Sequence, residues 1–182
     1  MHIVAPVMDS EPAHPTIAAG DHKSYMKYAL EQARRSPPAS TNFCVGAVLV
    51  DSDNNEILST GYTLELPGNT HAEQCCFMKV AQARHIAEER LGEVLPKNTI
   101  LYTTMEPCNK RLSGNKTCVE RILGLGGAVK TVYVGVKEPE KFVGQNEGRK
   151  RLEDADVGVK VVEGMEDQIL EVSTAGHETV NK

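Results

Sequence analysis

The 182-residue chain has 40% hydrophobic and 25% charged residues, which is the composition of a globular protein with one domain. Its net charge of −5 disfavours nucleic acid as a partner, and no apolar stretch has the length needed to span a bilayer. Five cysteines, an odd number, and an N-terminus without signal-peptide features favour a reducing compartment. We therefore expect a cytoplasmic protein that binds neither nucleic acid nor membrane, with the nucleus left open as a location.

The first half of the chain predicts an arm, a helix, a β-hairpin and a second helix. Residues 1–20 contain three prolines and are expected to form a disordered or extended arm. Apolar periodicity then predicts, in chain order, a helix with Asp21 as its N-cap, a buried strand over 44–50, a partner strand over 56–63 and a helix from His71 to about Leu91.

Shorter strands and helices alternate over the second half. The patterns predict strands over 99–104, 131–136 and 158–162 and helices over 118–123, 146–155 and 165–172. Such alternation indicates an α/β fold, here a three-layer α-β-α sandwich with a five-stranded mixed sheet. We expect one antiparallel hairpin at the start of the sheet and parallel pairings after it. Residues 173–182 are expected to form a C-terminal tail.

Three side chains have the chemistry of a zinc site. His71 offers one nitrogen, and Cys108 and Cys118 offer two thiolates, which are ligand types that zinc prefers. Three protein ligands leave one coordination position for water or substrate, as in catalytic zinc sites. The alternative is a structural site with a fourth ligand, for which Cys75, one helical turn after His71, is the nearest candidate.

Glu73 lies two residues after His71 and is the predicted catalytic residue. A carboxylate at this position can take a proton from water and pass it to a leaving amine. The order H-x-E…P-C…C, which ends here with Cys108 and Cys118, resembles the signature of the cytidine-deaminase-like superfamily. The resemblance covers roughly residues 22–164. It implies the cytidine-deaminase-like fold, zinc as the cofactor and deamination with release of ammonia.

Nine residues separate the two cysteines, whereas editing and cytosine deaminases commonly have the spacing PCxxC. The intervening segment, residues 109–117, is polar, basic and contains a glycine, which suits a loop that binds an anion. Arg111 can bind a phosphate through two hydrogen bonds. Further candidates for substrate binding in this loop are Lys110, Ser113, Gly114, Asn115 and Lys116. The alternative is a solvated loop whose basic residues serve solubility.

Two longer motifs narrow the resemblance. The segment Thr103–Asn115 reads TTMEPCNKRLSGN, and NFCVG begins at Asn42. Both resemble the eukaryotic-type deaminases of riboflavin biosynthesis, although Phe43 replaces the proline of that family. The resemblance implies that Asn42 faces the pyrimidine and that Ala72 also lies at the substrate. The implied substrate is a phosphorylated aminopyrimidine, foremost 2,5-diamino-6-ribitylamino-4(3H)-pyrimidinone 5′-phosphate.

The predicted elements place the zinc-dependent deaminase domain over residues 21–172, and the same resemblance implies a homodimer. Residues 165–182 are too few for the reductase or pseudouridine synthase domain that some relatives carry, so a stand-alone deaminase is expected. Two alternatives stay open. One is deamination of another base, a nucleoside or a tRNA adenosine, although the acidic pI disfavours tRNA. The other is a non-catalytic zinc-binding subunit of the same fold, which would have no need of Glu73.

Overall fold

The computed structural model describes residues 13–137 and 147–177. The helices are α1 (His22–Ala33), α2 (Ala72–Ala83), α3 (Cys118–Leu123), α4 (Glu147–Asp154) and α5 (Glu166–Ser173). The strands are β1 (Gly46–Asp51), β2 (Glu56–Tyr62), β3 (Thr99–Met105), β4 (Val129–Val136) and β5 (Gly158–Val161). A short 3₁₀ helix, Glu88–Glu93, precedes β3. Within the described ranges, no helix has the length and apolar character to cross a membrane.

The five strands form the predicted five-stranded mixed sheet, and their order is β2-β1-β3-β4-β5. Strands β3, β4 and β5 are parallel, whereas β1 is antiparallel to both of its neighbours. The prediction that only the first hairpin would be antiparallel was therefore wrong. The crossover through α2 makes β3 parallel to β2, but β3 pairs with β1, which runs the opposite way.

Helices cover both faces of the sheet and confirm the predicted α-β-α sandwich. Because side chains alternate along a strand, successive residues of β1 enter different cores. Leu49 packs in the core beneath α2, α3 and α4, where Phe77 and Leu152 are also buried. Val48 packs in the core beneath α1 and α5, together with Met26. The cores position two layers of helices around β1 and β3, the central strands.

Helix boundaries agree with the sequence at α1 and differ at α2. The Asp21 carboxylate accepts a hydrogen bond from the Ser24 N–H at 3.1 Å, so the predicted N-cap is confirmed. Helix α2 was expected to reach Leu91 but ends at Ala83. The chain turns at His85, whose φ of +54° is incompatible with a continuing helix, and Leu91 belongs to the 3₁₀ helix.

Both terminal segments are partly described. Residues 13–18 have no regular secondary structure and residues 19–20 form a turn, and the Ile17 carbonyl accepts a hydrogen bond from Asn55 Nδ2 at 2.7 Å. Residues 174–177 form a turn after α5. The remainder of the predicted arm and tail, residues 1–12 and 178–182, and the predicted start of α4 at residue 146 lie outside the described residues.

Candidate active site

The three predicted metal ligands meet where three elements begin or end. His71 immediately precedes α2, Cys108 follows β3, and Cys118 is the first residue of α3. His71 Nδ1 lies 3.4 Å from the Cys108 sulfur and 3.5 Å from the Cys118 sulfur. All three ligand atoms lie within 4.8 Å of one another. One end of the sheet therefore gathers an imidazole and two thiols.

These residues fit a zinc ion. A tetrahedral zinc with the usual Zn–S and Zn–N bond lengths separates a nitrogen ligand from a sulfur ligand by about 3.5 Å, which is the separation seen around His71. Cys75 does not complete the set, because its thiol donates a hydrogen bond to the Tyr62 carbonyl at 3.6 Å. Among the described residues the cluster holds three ligands, so the geometry supports an open, catalytic type of site over the four-ligand alternative.

A hydrogen bond within its first turn and a close contact with β2 fix the start of α2. The His71 N–H donates to Gln74 Oε1 at 3.4 Å, which satisfies one of the free N–H groups at the helix start. Gly61 of β2 permits a close approach, because a Cβ there would lie 2.2 Å from the Ala72 carbonyl oxygen. The first turn of α2 thus lies directly on β2, and this contact positions His71 and Glu73.

A capping box sets the start of α3. Thr117 Oγ1 accepts the Glu120 N–H at 3.1 Å, and Glu120 Oε2 accepts the Thr117 N–H at 2.8 Å. The next residue, Cys118, donates its N–H to the Cys108 sulfur at 3.3 Å. The Cys108 carbonyl accepts the Val119 N–H at 3.1 Å. Residues 109–117 therefore form a loop whose two ends are joined by hydrogen bonds.

Glu73 is buried beside the ligands, with 3% of its surface exposed. Its Oε1 lies 3.0 Å from the Thr103 hydroxyl oxygen, and its Oε2 lies 3.4 Å from the Cys118 sulfur. The Thr103 hydroxyl is also 2.9 Å from the Met105 carbonyl, so Thr103 can donate to that carbonyl while it accepts from a protonated Glu73. Burial raises the pKa of Glu73, and charge on Cys108 raises it further. The carboxyl group is thus suited to take up and return a proton.

The two thiols differ in their electrostatic surroundings. Hydrogen bonding from Cys118 lowers the pKa of Cys108, although burial opposes this effect. The same hydrogen bond, together with burial, raises the pKa of Cys118. Because zinc binds thiolates, we expect zinc uptake to release protons from this pair.

A cavity of about 480 Å³ opens over the cluster, which is within the size range of small-molecule sites. Seven predicted candidates line it, namely Asn42, His71, Glu73, Cys108, Lys110, Arg111 and Ser113. Lys110 is exposed. The structure thus brings the predicted proton carrier, two of the predicted metal ligands and basic residues of the loop to one cavity.

Other predicted substrate-binding residues lie outside the lining of this cavity. Ala72 is buried in α2, and Gly114, Asn115 and Lys116 are exposed on the loop. Gly114 has φ of +80°, which a turn here requires and a glycine readily adopts. The roles of these four residues in substrate binding stay predictions.

Arg111 connects the loop to the start of α2. Its guanidinium donates to the Asn69 carbonyl at 2.6 Å, to Gln74 Oε1 at 3.2 Å and to the Lys116 carbonyl at 3.2 Å. The side chain is therefore held in place at the cavity by three acceptors. Gln74 is shared between Arg111 and His71, so the loop and a metal ligand are linked through one side chain.

Thr103, Glu106 and His177 belong to this site but were not predicted as site residues. Thr103 has a signal in the sequence, because it shares a strand face with Leu101 and is polar where its neighbours in that core are apolar. Glu106 is buried and lines the cavity directly after β3. His177 was assigned to the tail, and no sequence pattern connects it with Asn42, 135 residues away.

Residues 19–136 match the family model described as the cytidine and deoxycytidylate deaminase zinc-binding region. This stretch contains the three ligands and Glu73. The chain belongs to this family. The predicted superfamily, the cytidine-deaminase-like fold and zinc as the cofactor of the family are confirmed.

Named relatives of this deaminase-family chain come from fungi and bacteria. One relative is the diaminohydroxyphosphoribosylamino-pyrimidine deaminase of Schizosaccharomyces pombe, which is 39% identical over 159 residues. The match covers 86% of this chain but 36% of the relative, so the chain spans about a third of that protein's length. A second relative is the Aspergillus oryzae Rib2 deaminase, solved as a C-terminal deletion mutant in complex with DARIPP. It is 45% identical and superposes with a TM-score of 0.79, over 86% of this chain and 92% of that one.

Acinetobacter baumannii RibD, form 2, shares the fold. It is 22% identical and has a TM-score of 0.65, over 85% of this chain and 38% of that one.

Proposed function

We propose that this chain is a zinc-dependent hydrolytic deaminase of a phosphorylated aminopyrimidine, 2,5-diamino-6-ribitylamino-4(3H)-pyrimidinone 5′-phosphate, in riboflavin biosynthesis. The observation that carries the proposal is the buried Glu73 beside a three-ligand cluster, in a cavity also lined by Lys110 and Arg111. The S. pombe relative is named for a deaminase of this substrate class, and the A. oryzae relative is described in complex with DARIPP.

The reaction replaces a ring C–N bond with a C–O bond, as water adds to the amine-bearing carbon and ammonia leaves. His71, Cys108 and Cys118 would hold the zinc ion, which would supply the Lewis acidity that makes water nucleophilic at neutral pH. Glu73 accepts a proton from the attacking water and returns it to the departing amine. Thr103 keeps the Glu73 carboxyl oriented through its contact with Oε1.

The basic side of the cavity suits the phosphate. Arg111 is already fixed by three acceptors, so its remaining N–H groups are presented with little loss of conformational freedom on binding. We expect Arg111→Ala to raise KM for the phosphorylated substrate about tenfold or more and to affect the dephosphorylated form far less. Steady-state kinetics on both compounds tests this, with Lys97→Ala, an exposed lysine outside the cavity lining, as the control. Equal effects on the two compounds would show that Arg111 does not bind the phosphate.

Ammonia release from a panel of amines tests the function itself. The panel contains the ribitylamino and ribosylamino pyrimidinone phosphates, cytidine and deoxycytidylate, each with and without a zinc chelator. We expect release from the ribitylamino compound that stops when the chelator is present. Release from cytidine or deoxycytidylate alone would contradict the proposed substrate, and no release from any compound would favour a non-catalytic zinc-binding subunit.

We also propose that the protein acts as a cytoplasmic homodimer. All five cysteines are free thiols, which fits a reducing compartment. The dimer is supported by the resemblance to the deaminase family. Light scattering during size-exclusion chromatography tests the dimer, and a monomer would contradict it. Cell fractionation tests the location, and recovery in a membrane-enclosed compartment would contradict it.

A further inference from the structure

His177 lies at the end of the described C-terminal segment and lines the same cavity as His71 and Glu73. The residue follows α5 on a turn over residues 174–177, in which its N–H donates to the Thr174 carbonyl at 2.9 Å. The side chain is half-buried. A residue from the chain terminus thus forms part of the candidate active-site wall.

The imidazole has a defined tautomer. His177 Nε2 lies 2.9 Å from the Asn42 carbonyl oxygen, and because a carbonyl can only accept, Nε2 carries the proton. The ring also packs against Phe43, with ring centroids 4.8 Å apart. Within the described ranges no residue hydrogen-bonds to Nδ1. In the neutral imidazole Nδ1 is therefore an acceptor that is left for a ligand in the cavity.

The turn that carries His177 is docked tightly on the loop that carries Asn42. Gly176 lies so close to Ala39 that a Cβ on the glycine would come within 2.2 Å of the Ala39 nitrogen. The Ser173 carbonyl accepts the Cys44 N–H at 3.0 Å. The two segments therefore hold His177 beside Asn42, the predicted contact of the pyrimidine ring.

We propose that His177 is a substrate-binding residue that recognises a hydroxyl group of the sugar-like chain between the ring and the phosphate. An acceptor nitrogen requires a donor on the ligand, and a phosphate dianion has none, whereas a polyol chain carries several hydroxyl donors. The ring also carries amino donors, so a probe that lacks the ring is needed to test the assignment to the polyol chain. The basic residues of the other wall, Lys110 and Arg111, suit the phosphate instead. This inference rests on the proposed substrate class. It adds to the proposed function by assigning recognition of the substrate's polyol chain to the C-terminal turn.

His177→Phe tests the proposal, because it retains a ring against Phe43 and removes both nitrogens. We expect KM for the ribitylamino substrate to rise about tenfold, the effect of one lost hydrogen bond, while kcat stays within about twofold. His177→Gln, which again offers an acceptor, should restore most of the loss. The matched control is His14→Phe, since His14 lies on the other terminal segment, contacts Tyr28 and is not part of the cavity lining.

Two simple probes distinguish recognition of the polyol chain from contacts with the ring or the phosphate. Ribitol 5-phosphate carries the polyol chain and the phosphate without the ring. We therefore expect its inhibition constant to rise in His177→Phe by the same factor as KM. The inhibition constant of inorganic phosphate should not change. An unchanged KM would overturn the proposal, and so would a raised KM with an unchanged constant for ribitol 5-phosphate, because the contact would then be to the ring.

Failure of the proposed function gives a different result from failure of this inference. If the wild-type protein releases no ammonia, calorimetric binding of ribitol 5-phosphate to the zinc-loaded wild type and to His177→Phe still tests the contact. Equal affinities, or no binding to either protein, would overturn the inference. If His177→Phe is poorly folded by thermal melting, His177→Leu is measured in the same way, and equal binding by that variant is the overturning result.

Discussion

Glu73 shows how a single residue obtains its chemistry from its surroundings. The carboxyl group is buried between Thr103 and Cys118, so its pKa rises because the charged form loses solvation. A carboxyl group with a raised pKa keeps its proton to a higher pH than a solvent-exposed one, which suits a group that must carry a proton from water to an amine. The neighbours also restrict its rotamers, which keeps the proton close to the zinc ligands.

The Glu73→Gln variant should bind zinc as the wild type does but lose turnover. An amide retains the size and the contact with Thr103, yet it cannot carry a proton between water and amine. We expect kcat to fall by about 10²–10⁴-fold with an unchanged zinc content by elemental analysis. Glu65→Gln is the control, because Glu65 pairs with Lys79 at 2.9 Å outside the metal cluster. Retained activity in Glu73→Gln would remove this residue from proton transfer.

His22 makes the stability of the fold depend on pH. Its ring stacks on Tyr133 at 4.1 Å, and its Nδ1 lies 2.8 Å from the Tyr102 hydroxyl. Burial lowers the pKa of His22 below its ordinary value of 6.5, the positive charge of Lys160 lowers it further, and Asp21 opposes them. The unfolded chain therefore takes up a proton more readily, so this contribution to stability is present above pH 6.5 and decreases as the pH falls below it.

His22→Phe should weaken this dependence, because phenylalanine can stack on Tyr133 but cannot titrate. We expect the free energy of unfolding of the wild type to fall more between about pH 7.5 and about pH 5 than that of the variant. Urea denaturation at several pH values measures the difference. Parallel curves for the two proteins would show that His22 does not contribute.

At the scale of the element, the site depends on how closely α2 lies on β2. Gly61 has no side chain, so the Ala72 carbonyl can approach the strand, and the first turn of α2 brings Glu73 to the cavity. The capping box of Thr117 and Glu120 fixes the start of α3 in a comparable way. Helix starts placed by close packing and caps thus determine where the functional side chains lie.

Gly61→Ala should disturb both the fold and the metal site. The new Cβ would meet the Ala72 carbonyl oxygen at 2.2 Å and the Cys75 Cβ at 2.9 Å, so α2 must move away. We expect a loss of about 1–3 kcal/mol in the free energy of unfolding and a weaker affinity for zinc. Gly158→Ala is the matched control, since a Cβ on that strand glycine meets nothing closer than 3.6 Å. Equal stability of the two variants would contradict the role given to Gly61.

At the scale of the whole molecule, the predicted zinc ligands come from three places in the fold. His71 precedes α2, Cys118 begins α3 and Cys108 follows β3, so an ion held by all three would connect the central strand with two helices. A ligand that binds only the folded state stabilises it by mass action. The ion is therefore expected to serve the stability of the fold as well as the reaction.

Zinc removal should lower the melting temperature and abolish activity. At a free zinc concentration about 1,000 times Kd the ion contributes about 4 kcal/mol, which corresponds to a drop in Tm of roughly 10 °C on chelation. Differential scanning calorimetry with and without chelator, followed by zinc addition, is the measurement. Cys75→Ala should retain the zinc-dependent shift, because Cys75 lies outside the cluster, whereas Cys108→Ala should lose it. An identical Tm with and without chelator would contradict this expectation.

Most elements of the fold followed from local patterns, and the exceptions have physical reasons. Strands and helices were predicted within a few residues because their apolar periodicity is local. The antiparallel pairing of β1 with β3 was missed, because strand order depends on where the crossover through α2 places β3. The early end of α2 was missed as well. The chain has a positive φ at His85, where a glycine would have been a sequence signal for the end of a helix.

The sequence by itself was enough to predict the ligand set and the proton carrier, because metal binding and proton transfer depend on residue type and on spacing along the chain. Only the tertiary structure decided that Thr103 contacts Glu73 and that His177 joins Asn42 at the cavity. These contacts link residues 30 and 135 positions apart. Packing of strands and helices creates such contacts, and no local pattern encodes them.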